Sequence, residues 1–461
     1  MTRIHLIGIG GTGLSAIARV LLEMGHTVSG SDIAESPFTR DLRSAGATIS
    51  IGHHPENVRG VDLVVCSSAI PEDNPEVTSA HALRIPVLKR ADFLGNLMDG
   101  KTGIAIAGTH GKTTTSSMIA WMLLALGQDP TFIVGGVIAN LGVNARAGKG
   151  NTFVIEADEY DRMFLGLKPT IEVVTNIEHD HPDCYPTPED FQAAFVEFLY
   201  HLPKDGTLVA CADDRGARDL MDQAKKLNKT VISYGLIQKT ENGQPLDVYA
   251  SDLAPNKNGG FTFSASVLGN ATTIDLQVPG KHNVNNALAA LTVTQLLNLP
   301  LPEAAHALGE FTGTGRRFEI RGEVNGIVVV DDYAHHPTEI RATLAAARVR
   351  FPSHRIWAVW QPHTYSRTQT LFNEFAKAFT DADAVIVTEI YAAREQEQHF
   401  SAKRVAEAML PPALFIAELS DVSNYLDSNL RPGDCLLVLS AGDGNQISTD
   451  VLAYLEEVHN A

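Results

Sequence analysis

The chain has 461 residues, of which 44% are hydrophobic and 20% carry a charge, and its formal net charge is −18. This length predicts roughly two to four domains, and the composition is that of a folded protein rather than a disordered one. The acidic balance argues against nonspecific binding to nucleic acid or to an anionic membrane. No apolar run reaches the roughly 18 residues of a membrane span.

The four cysteines, Cys66, Cys184, Cys211 and Cys435, are scattered along the chain and include no CxxC pair. Three of them lie in or beside apolar runs, which predicts buried thiols rather than disulfides. The N-terminus lacks the apolar region and cleavage site of a secretory signal. We therefore expect a cytoplasmic protein without a nucleic-acid or membrane partner, and the sequence leaves both a monomer and a homodimer open.

The first segment alternates between predicted strands and helices. An apolar strand at Ile4–Ile9 precedes a helical pattern at Leu14–Met24, and the strand Thr27–Ser31 ends at Asp32. Two further strands are predicted at Leu63–Cys66 and Val87–Leu88. This alternation predicts an α/β domain with a parallel sheet and helices on its faces, and we assign a Rossmann-like domain to residues 1–99.

A glycine-rich turn from Gly8 to Gly13 follows the first strand and matches the pattern G-x-G-x-x-G. Glycines in such a turn let backbone N–H groups approach a pyrophosphate, and an acidic residue at the end of the next strand is suited to holding a ribose. The residues predicted to form this nucleoside-diphosphate site are Gly10, Gly11, Thr12, Gly13, Ser15 and Asp32. NAD and a nucleotide sugar satisfy this chemistry equally, so a nicotinamide-dependent dehydrogenase is an alternative based on this turn alone.

The second segment, residues 100–315, contains sequence patterns typical of parallel strands and others typical of antiparallel strands. Strands are predicted at Ile104–Ala107, Phe153–Glu156 and Val173–Asn176, and helices at about Thr113–Leu126 and Asn285–Leu297. Between residues 246 and 278 apolar and polar residues alternate around Asn-Gly turns, which predicts antiparallel strands. We expect a central P-loop ATPase-like domain whose sheet is mostly parallel with a small antiparallel portion.

The loop Gly-Thr-His-Gly-Lys-Thr-Thr-Thr at 108–115 lies between a buried strand and a helix. It is two residues shorter than the standard P-loop. Lys112 is placed to neutralise the β- and γ-phosphates of ATP, and the Thr113 hydroxyl to bind Mg²⁺. The residues predicted to bind ATP here are Gly108, Thr109, His110, Gly111, Lys112, Thr113 and Thr114. Two phosphate loops in one chain favour a two-substrate kinase or ligase over a dehydrogenase.

Acidic residues and histidines follow two strands of the second segment. Glu156 ends one strand, and the sequence Asn-Ile-Glu-His-Asp-His after another ends at His181. Because the carboxyl ends of strands in a doubly wound sheet face one crevice, we expect these groups beside the phosphate loop. Mg²⁺ prefers oxygen ligands, which Glu156 and Thr113 supply. His181 suits Mg²⁺ less well, and a single histidine considered alone is more often a structural hydrogen-bonding residue than a metal ligand.

The third segment, residues 316–461, again alternates between strand and helix. Strands are predicted at Ile327–Val330, Ile356–Val359, Ala384–Val387 and Cys435–Leu439, and a helix at Glu339–Arg350. We therefore expect a second Rossmann-like domain, with its site at the carboxyl ends of the strands.

Six motifs follow one another along the second and third segments. They are Gly108–Thr115, Glu156–Glu159, Asn176–His181, Gly280–Asn286, Gly315–Phe318 and Asp331–Glu339. In this order they resemble the Mur ligases, and the resemblance covers essentially the whole chain. The histidine-rich stretches Asp332–Pro337 and Gln361–Thr368 resemble the branch that adds alanine. Several members of other branches carry a carbamoylated lysine after the Asp-His motif, whereas this chain has no lysine between Pro182 and Leu202.

The resemblance implies an ATP- and Mg²⁺-dependent ligase that joins L-alanine to the carboxylate of UDP-N-acetylmuramate through an acyl phosphate, in peptidoglycan precursor synthesis. It places Lys112 on the ATP phosphates, Thr113 on Mg²⁺, Glu156 between two metal ions and His181 on the second ion. It further implies Asn283 and Asn286 near the adenine, Arg317 and Asp332 at the ATP site, Tyr333, His335 and Arg367 at the substrates, and Ser67, Ser68, Ala69 and Ile70 beside the uridine diphosphate.

Several alternatives remain at this stage. A ligase that attaches a ready-made tripeptide to the same nucleotide sugar would share the three-segment pattern. A non-enzymatic nucleotide-binding regulator would lack the acidic and histidine groups at the strand ends. His181 and His335 are both candidates for the base that deprotonates the amine. Because the site draws on different segments, we expect domain closure to assemble it and to exclude water.

Overall fold

The computed structural model describes residues 1–239 and 243–460. In these ranges the chain forms three β-sheets, one in each of the three predicted segments, and helices pack against each sheet. The three-domain α/β architecture expected from the sequence is therefore confirmed. The domain boundaries, after residue 99 and after residue 315, remain predictions. No helix in the described ranges is long and apolar enough to span a membrane.

The N-terminal sheet is built from short parallel strands. Its elements are β1 (Arg3–Ile7), α1 (Thr12–Glu23), β2 (Thr27–Asp32), α2 (Pro37–Ser44), β3 (Thr48–Ile51), β4 (Leu63–Cys66), α3 (Pro75–Ala82), β5 (Val87–Lys89) and α4 (Arg90–Leu97). The strand order is β3-β2-β1-β4-β5, with every pairing parallel. β1 ends two residues earlier than predicted because Gly8, with φ of +87°, turns the chain out of the sheet.

The central sheet has ten strands and is mostly parallel. Its elements are β6 (Thr102–Ala107), α5 (Lys112–Ala125), β7 (Thr131–Ile138), β8 (Val143–Arg146), β9 (Thr152–Glu156), β10 (Ile171–Val174), α6 (Pro188–Leu199), β11 (Thr207–Cys211), α7 (Arg215–Lys226), β12 (Thr230–Gly235), β13 (Val248–Pro255), β14 (Phe261–Val267), β15 (Asn270–Leu276), α8 (Lys281–Leu296) and α9 (Leu301–Gly309). The order is β15-β14-β13-β12-β11-β10-β6-β9-β7-β8. β13, β14 and β15 are antiparallel, as predicted, and β8 also runs antiparallel to β7.

The C-terminal sheet is mixed rather than fully parallel. Its elements are β16 (Glu319–Val324), β17 (Ile327–Asp332), α10 (Pro337–Arg350), β18 (Arg355–Gln361), α11 (Tyr365–Thr370), α12 (Phe372–Phe375), β19 (Ala384–Val387), α13 (Lys403–Ala408), β20 (Leu414–Phe415), α14 (Leu419–Asn429), β21 (Asp434–Ser440) and α15 (Gln446–Asn460). The order is β16-β17-β21-β18-β19-β20, and β16 is antiparallel to β17. Strand β16 was not predicted, because this edge strand has no apolar run. The turn Asn325-Gly326 that follows it has the positive φ angles of a tight hairpin.

Helix α8 begins at Lys281, about one turn before the predicted start at Asn285. Gly280 precedes it with φ of +95°, and the first turn, Lys-His-Asn, is polar, so the apolar pattern begins only later. The earlier start brings Asn283 and Asn286 into the first turns of the helix. Both side chains are buried, so this helix end faces the interior of the molecule.

The described cysteines are all unpaired, and Cys66, Cys211 and Cys435 are buried, as expected. They contribute to the apolar interior rather than to covalent cross-links.

Candidate active site

The phosphate loop is fixed between β6 and α5 by contacts that require glycine. Gly108 has φ of +132°, and a Cβ at this position would overlap the hydroxyl of Thr175. Gly111 has φ of +82°, and its Cβ would lie 2.8 Å from Asn286 Oδ1. Thr109 ties the loop to the segment after β10, because its Oγ1 donates to the Glu178 carbonyl at 2.7 Å. The loop is therefore held in one shape with its backbone facing the cleft.

Lys112 opens α5 and forms a buried ion pair with Glu159. Its Nζ lies 2.8 Å from the Glu159 carboxylate and also donates to the Gly108 carbonyl at 2.6 Å. Burial disfavours both charges, but their mutual attraction outweighs it, so the pKa of Lys112 is raised and that of Glu159 is lowered. The lysine is thus held as a cation at the start of the helix, where phosphates are favoured.

Thr113 and Glu156 present oxygen atoms beside the loop. Thr113 Oγ1 donates to Glu156 Oε1 at 3.0 Å, and the Gly135 amide donates to Glu156 Oε2 at 2.7 Å. Burial raises the pKa of Glu156, although the charges of Lys112 and Arg317 oppose this rise. A hydroxyl and a half-buried carboxylate next to a phosphate loop fit the oxygen preference of Mg²⁺.

His181 lies beside the ion pair of Lys112 and Glu159. Its Nε2 is 3.6 Å from Glu159 Oε1 and 3.8 Å from Asp180 Oδ2. The residue has φ of +53°, a conformation that costs a non-glycine residue about 1 kcal/mol or more. Its ring Nδ1 is buried and has no hydrogen-bond partner in the described part of the chain. His181 thus has one ring nitrogen still available to a ligand.

A cavity of about 220 Å³ lies between the central and C-terminal domains. Among the predicted ATP-binding residues, those that line it are His110, Gly111, Thr114, Asn283, Asn286, Arg317 and Asp332. Gly108, Thr109, Lys112 and Thr113 are not among its lining residues and belong to the adjoining phosphate loop. The two asparagines orient each other, since Asn286 Nδ2 donates to Asn283 Oδ1 at 2.9 Å. His282 also lines the cavity, although the sequence analysis did not assign it to the site.

His110 connects the phosphate loop to the C-terminal domain. Its Nε2 lies 3.0 Å from Glu178 Oε2, and its Nδ1 lies 3.2 Å from Glu339 Oε1. Burial favours the neutral ring, but the two carboxylates outweigh this effect and raise the pKa of His110 to about 9. Glu339 also accepts the backbone amide of His335 at 3.0 Å and lies 3.7 Å from the Arg317 guanidinium. The side-chain carboxylate of Glu339, in the C-terminal domain, therefore contacts His110 of the phosphate loop and two predicted site residues, His335 and Arg317.

The C-terminal domain contributes a histidine and a second arginine. His335 Nδ1 is 2.9 Å from the Tyr333 carbonyl, and burial lowers the pKa of the ring to about 4. Arg367 is buried, and its Nε donates to Asp180 Oδ1 at 2.8 Å across the domain interface. The guanidinium holds the pKa of that carboxyl well below its usual range, against the effect of burial.

Asp332 and Tyr333 lie at the end of β17. Burial raises the pKa of Asp332 to about 6, and its carboxylate accepts the amides of Phe318 and Ala334 at 2.7 Å each. Arg317 lies over the Tyr333 ring at 5.0 Å from its centroid. Asp332 therefore shapes the loops around the cavity through backbone contacts.

The residues predicted for the nucleotide sugar lie in the N-terminal domain. The glycine turn and the segment after β4 are adjacent, since a Cβ on Gly8 would lie 3.1 Å from Ser67 Cβ. These residues differ in their exposure and fall into three groups. Gly11, Thr12, Ser68 and Ala69 are exposed, Gly10, Gly13, Ser67 and Ile70 are half-buried, and Ser15 is buried.

Asp32 and Ser15 support the glycine turn through hydrogen bonds of their own. Asp32 Oδ2 accepts the Gly10 amide at 2.8 Å, and Ser15 Oγ donates to the Thr12 carbonyl at 3.0 Å. A Cβ on Gly13 would overlap the guanidinium of Arg90, which lies 3.4 Å from Asp158 of the central domain. The turn is thus linked to the central domain through one arginine.

Four carboxylates of the site were not predicted as site residues, although each lies inside one of the six motifs: Glu159, Glu178, Asp180 and Glu339. Glu178 and Asp180 each have an adjacent histidine in the sequence, whereas Glu159 and Glu339 have no basic or histidine neighbour. What the sequence could not show was their partners, because His110 and Glu339 are 229 positions apart (339 − 110) and meet only in the fold.

Three α/β domains, a glycine turn in the first and a lysine-bearing phosphate loop facing a cleft in the second define a multidomain nucleotide-binding protein. Sequence profiles match the Mur ligase family catalytic domain at residues 3–102, the Mur ligase middle domain at 106–294 and the Mur ligase glutamate ligase domain at 316–442. The chain belongs to the Mur ligase family.

The chain is similar over nearly its full length to curated and solved members of this family. It is 46% identical to the UDP-N-acetylmuramate–L-alanine ligase of Geobacter sp. strain M21, over 98% of both chains. Its fold matches the crystal structure of the UDP-N-acetylmuramate–alanine ligase of Thermotoga maritima with a TM-score of 0.82 and 29% identity, over 99% of this chain and 100% of that one. A murein peptide ligase from Psychrobacter arcticus matches with a TM-score of 0.72 and 28% identity, over 99% of both chains.

Proposed function

We propose that this chain is an ATP-dependent ligase that joins L-alanine to the carboxylate of UDP-N-acetylmuramate in peptidoglycan precursor synthesis, with release of ADP and phosphate. The observation that carries the proposal is the cleft, where the lysine-bearing loop of the central domain faces Arg317, His335 and Arg367 of the C-terminal domain. The names of the full-length relatives support the same activity and the same two substrates.

ATP would bind with its phosphates on Lys112 and its adenine in the cavity beside Asn283 and Asn286. Thr113 and Glu156 would hold Mg²⁺, and we propose His181, with its free ring nitrogen, as a further ligand. The bound Mg²⁺ would neutralise phosphate charge during phosphoryl transfer.

The first step brings a carboxylate to the γ-phosphate, so two anions must approach each other. Phosphoryl transfer gives an acyl phosphate and ADP, because the bond from the γ-phosphorus to the bridging oxygen breaks as the carboxylate oxygen attacks. Lys112 and Arg317 would offset the repulsion. Arg367, whose pair with Asp180 fixes its orientation, would assist from the C-terminal domain.

The second step needs a deprotonated amine. The Tyr333 carbonyl accepts the Nδ1 proton of His335, which leaves the lone pair on Nε2 free. The lowered pKa keeps this ring neutral near pH 7, and a substrate anion beside it would raise its basicity. We therefore favour His335 over His181 as the proton acceptor. The amine then attacks the acyl carbon, and phosphate leaves from the tetrahedral intermediate.

The nucleotide sugar would occupy the N-terminal glycine turn, with Gly10–Gly13 at the pyrophosphate and the segment Ser67–Ile70 beside it. Ser15 and Asp32 would act by shaping the turn. We also propose domains at residues 1–99, 100–315 and 316–461, which close around the substrates and exclude water from the acyl phosphate. The unpaired cysteines support a cytoplasmic location.

A ligase that transfers a ready-made tripeptide is the second candidate, because a murein peptide ligase shares this fold over nearly the full chain at 28% identity. The test is phosphate release from ATP in the presence of UDP-N-acetylmuramate and either L-alanine or the tripeptide. We expect turnover that depends on L-alanine. Turnover only with the tripeptide would support the second candidate, and turnover with neither amine would contradict both.

A further inference from the structure

The side chains of His110, Glu178 and His336 meet at the rim of the cavity. One possible ligand atom from each lies within 4.8 Å of those from the other two. His110 Nε2 is 3.0 Å from Glu178 Oε2, and His336 Nδ1 is 3.8 Å from the same oxygen. The two imidazole rings have centroids 4.7 Å apart. Two of these residues come from the central domain and one from the C-terminal domain.

Two further contacts hold the cluster in place from outside. His110 Nδ1 lies 3.2 Å from the Glu339 carboxylate, and Thr338 Oγ1 donates to Glu178 Oε1 at 2.9 Å. A histidine that binds a metal usually donates its other ring N–H to a carboxylate, and a metal-binding carboxylate is usually hydrogen-bonded through its second oxygen. Both arrangements are present here.

His336 faces the cluster with its ring Nδ1. The residue is 2% exposed, its Nδ1 accepts the Thr338 amide at 3.3 Å, and its Nε2 is buried with no partner among residues 1–239 and 243–460. A buried polar atom without a hydrogen-bond partner lowers the stability of the folded state. A neutral imidazole has one in-plane lone pair, so a ring that accepts through Nδ1 carries its proton on Nε2. The atom that an ion would bind is therefore Nδ1, which lies 3.8 Å from Glu178 Oε2, and the ion would replace the long contact with the Thr338 amide.

We propose that His110, Glu178 and His336 form a binding site for a d-block divalent cation, of which Zn²⁺ is the best match. Two imidazoles and one carboxylate are a typical Zn²⁺ donor set, whereas Mg²⁺ prefers oxygen alone. The ion would take the place of the proton between His110 and Glu178. This site is separate from the oxygen ligands Thr113 and Glu156.

An ion at this site would connect the central domain to the N-terminus of α10. Because His110 belongs to the phosphate loop and lines the nucleotide cavity, the ion would hold the loop and hinder ATP entry. Zn²⁺ would therefore inhibit turnover even in excess Mg²⁺. This inhibition rests on the proposed function, but binding of the ion does not.

The binding test is titration of the full chain with Co²⁺ without nucleotide, followed through the visible ligand-field absorption and then by displacement with Zn²⁺. His336→Asn is the informative variant, because asparagine keeps the helix cap and removes the imidazole. His306→Ala is the matched control, since that histidine is exposed and pairs with Glu310 away from the cavity. We expect one Co²⁺ per chain, at least tenfold weaker binding in His336→Asn, and unchanged binding in His306→Ala. Absent absorption bands, or equal affinity in His336→Asn and the unmodified chain, would overturn the site.

The inhibition test compares ATP turnover with and without Zn²⁺ at saturating Mg²⁺, each chain relative to its own uninhibited rate. Zn²⁺ should inhibit the unmodified chain over the concentration range in which it displaces Co²⁺, and His336→Asn should need at least tenfold more. Co²⁺ binding without any L-alanine-dependent turnover would leave the metal site standing and remove the proposed function. Equal inhibition of both chains would remove the inhibitory role.

Discussion

Glu172 is a carboxylic acid in the middle of the central sheet. It lies in β10 between Ala105 of β6 and Leu208 of β11, and it is 0% exposed. Neither carboxylate oxygen has a hydrogen-bond partner in the described ranges. Burial raises its pKa from the ordinary 4.5 to about 8, although the charge of Lys229 opposes the rise. The folded protein therefore holds this group protonated near pH 7.

This raised pKa makes the folded state less stable as the pH increases. Below about pH 4.5 Glu172 is protonated in both the folded and the unfolded chain, so it adds no pH dependence. Between about pH 4.5 and 8 the unfolded chain loses the proton and the folded chain keeps it. At pH 7 the difference of 2.5 pH units (7 − 4.5) corresponds to about 3 kcal/mol lost, at about 1.4 kcal/mol per unit.

The perturbation is Glu172→Gln, which removes the titration with little change in size. We expect the free energy of unfolding of the variant to exceed that of the unmodified chain by an amount that grows from pH 5 to pH 8, reaching about 3 kcal/mol near pH 7. Urea unfolding followed by tryptophan fluorescence measures it, with Trp357 and Trp360 replaced by phenylalanine in both chains so that Trp121 of the central domain gives the signal. Glu303→Gln, at an exposed position of α9, is the control. A difference between Glu172→Gln and the unmodified chain that stays constant with pH would refute this reasoning.

Three further predictions concern the cleft. Gly108→Ala should abolish ATP binding measured by calorimetry, because the added Cβ would overlap Thr175. Binding of the nucleotide sugar should persist, and full ATP affinity in this variant would contradict the loop geometry. Arg367→Ala should lower the free energy of unfolding by about 3–5 kcal/mol, because it leaves the buried Asp180 carboxylate without its partner. The double variant with Asp180→Asn should recover part of this stability but should not recover turnover. Thr113→Val should raise the Mg²⁺ concentration for half-maximal turnover about tenfold, since it removes one oxygen ligand, and Thr113→Ser should restore it. An unchanged Mg²⁺ requirement in Thr113→Val would exclude this hydroxyl from the metal site.

The sequence predicted the parts of the fold whose signals are local. The phosphate loop, the strand before it and the helix after it all follow from residues 102–125, because glycine, lysine and an apolar run act over a few positions. The edge strand β16 was missed because half of its residues face solvent and no partner strand is visible in the sequence.

Most of the predicted site residues lie in recognisable sequence motifs. Most of the residues that contact them in the fold were not predicted. Lys112 was selected, but Glu159, 47 positions away, was not. Arg367 was selected, but its role in holding Asp180 across the interface needs the relative placement of two domains. His336 caps α10 through a contact two residues away, whereas its contact with His110 depends on tertiary packing and has no local signal in the sequence.

We propose that ATP binds to the central domain and the sugar nucleotide to the N-terminal domain. The most direct test is a crystal structure with a non-hydrolysable ATP analogue and UDP-N-acetylmuramate bound together. We expect the triphosphate on the loop 108–114, with Lys112 at its β- and γ-phosphates, the adenine beside Asn283, and the sugar nucleotide at the N-terminal turn 8–13. A triphosphate found at residues 8–13, with nothing bound near Lys112, would contradict the account.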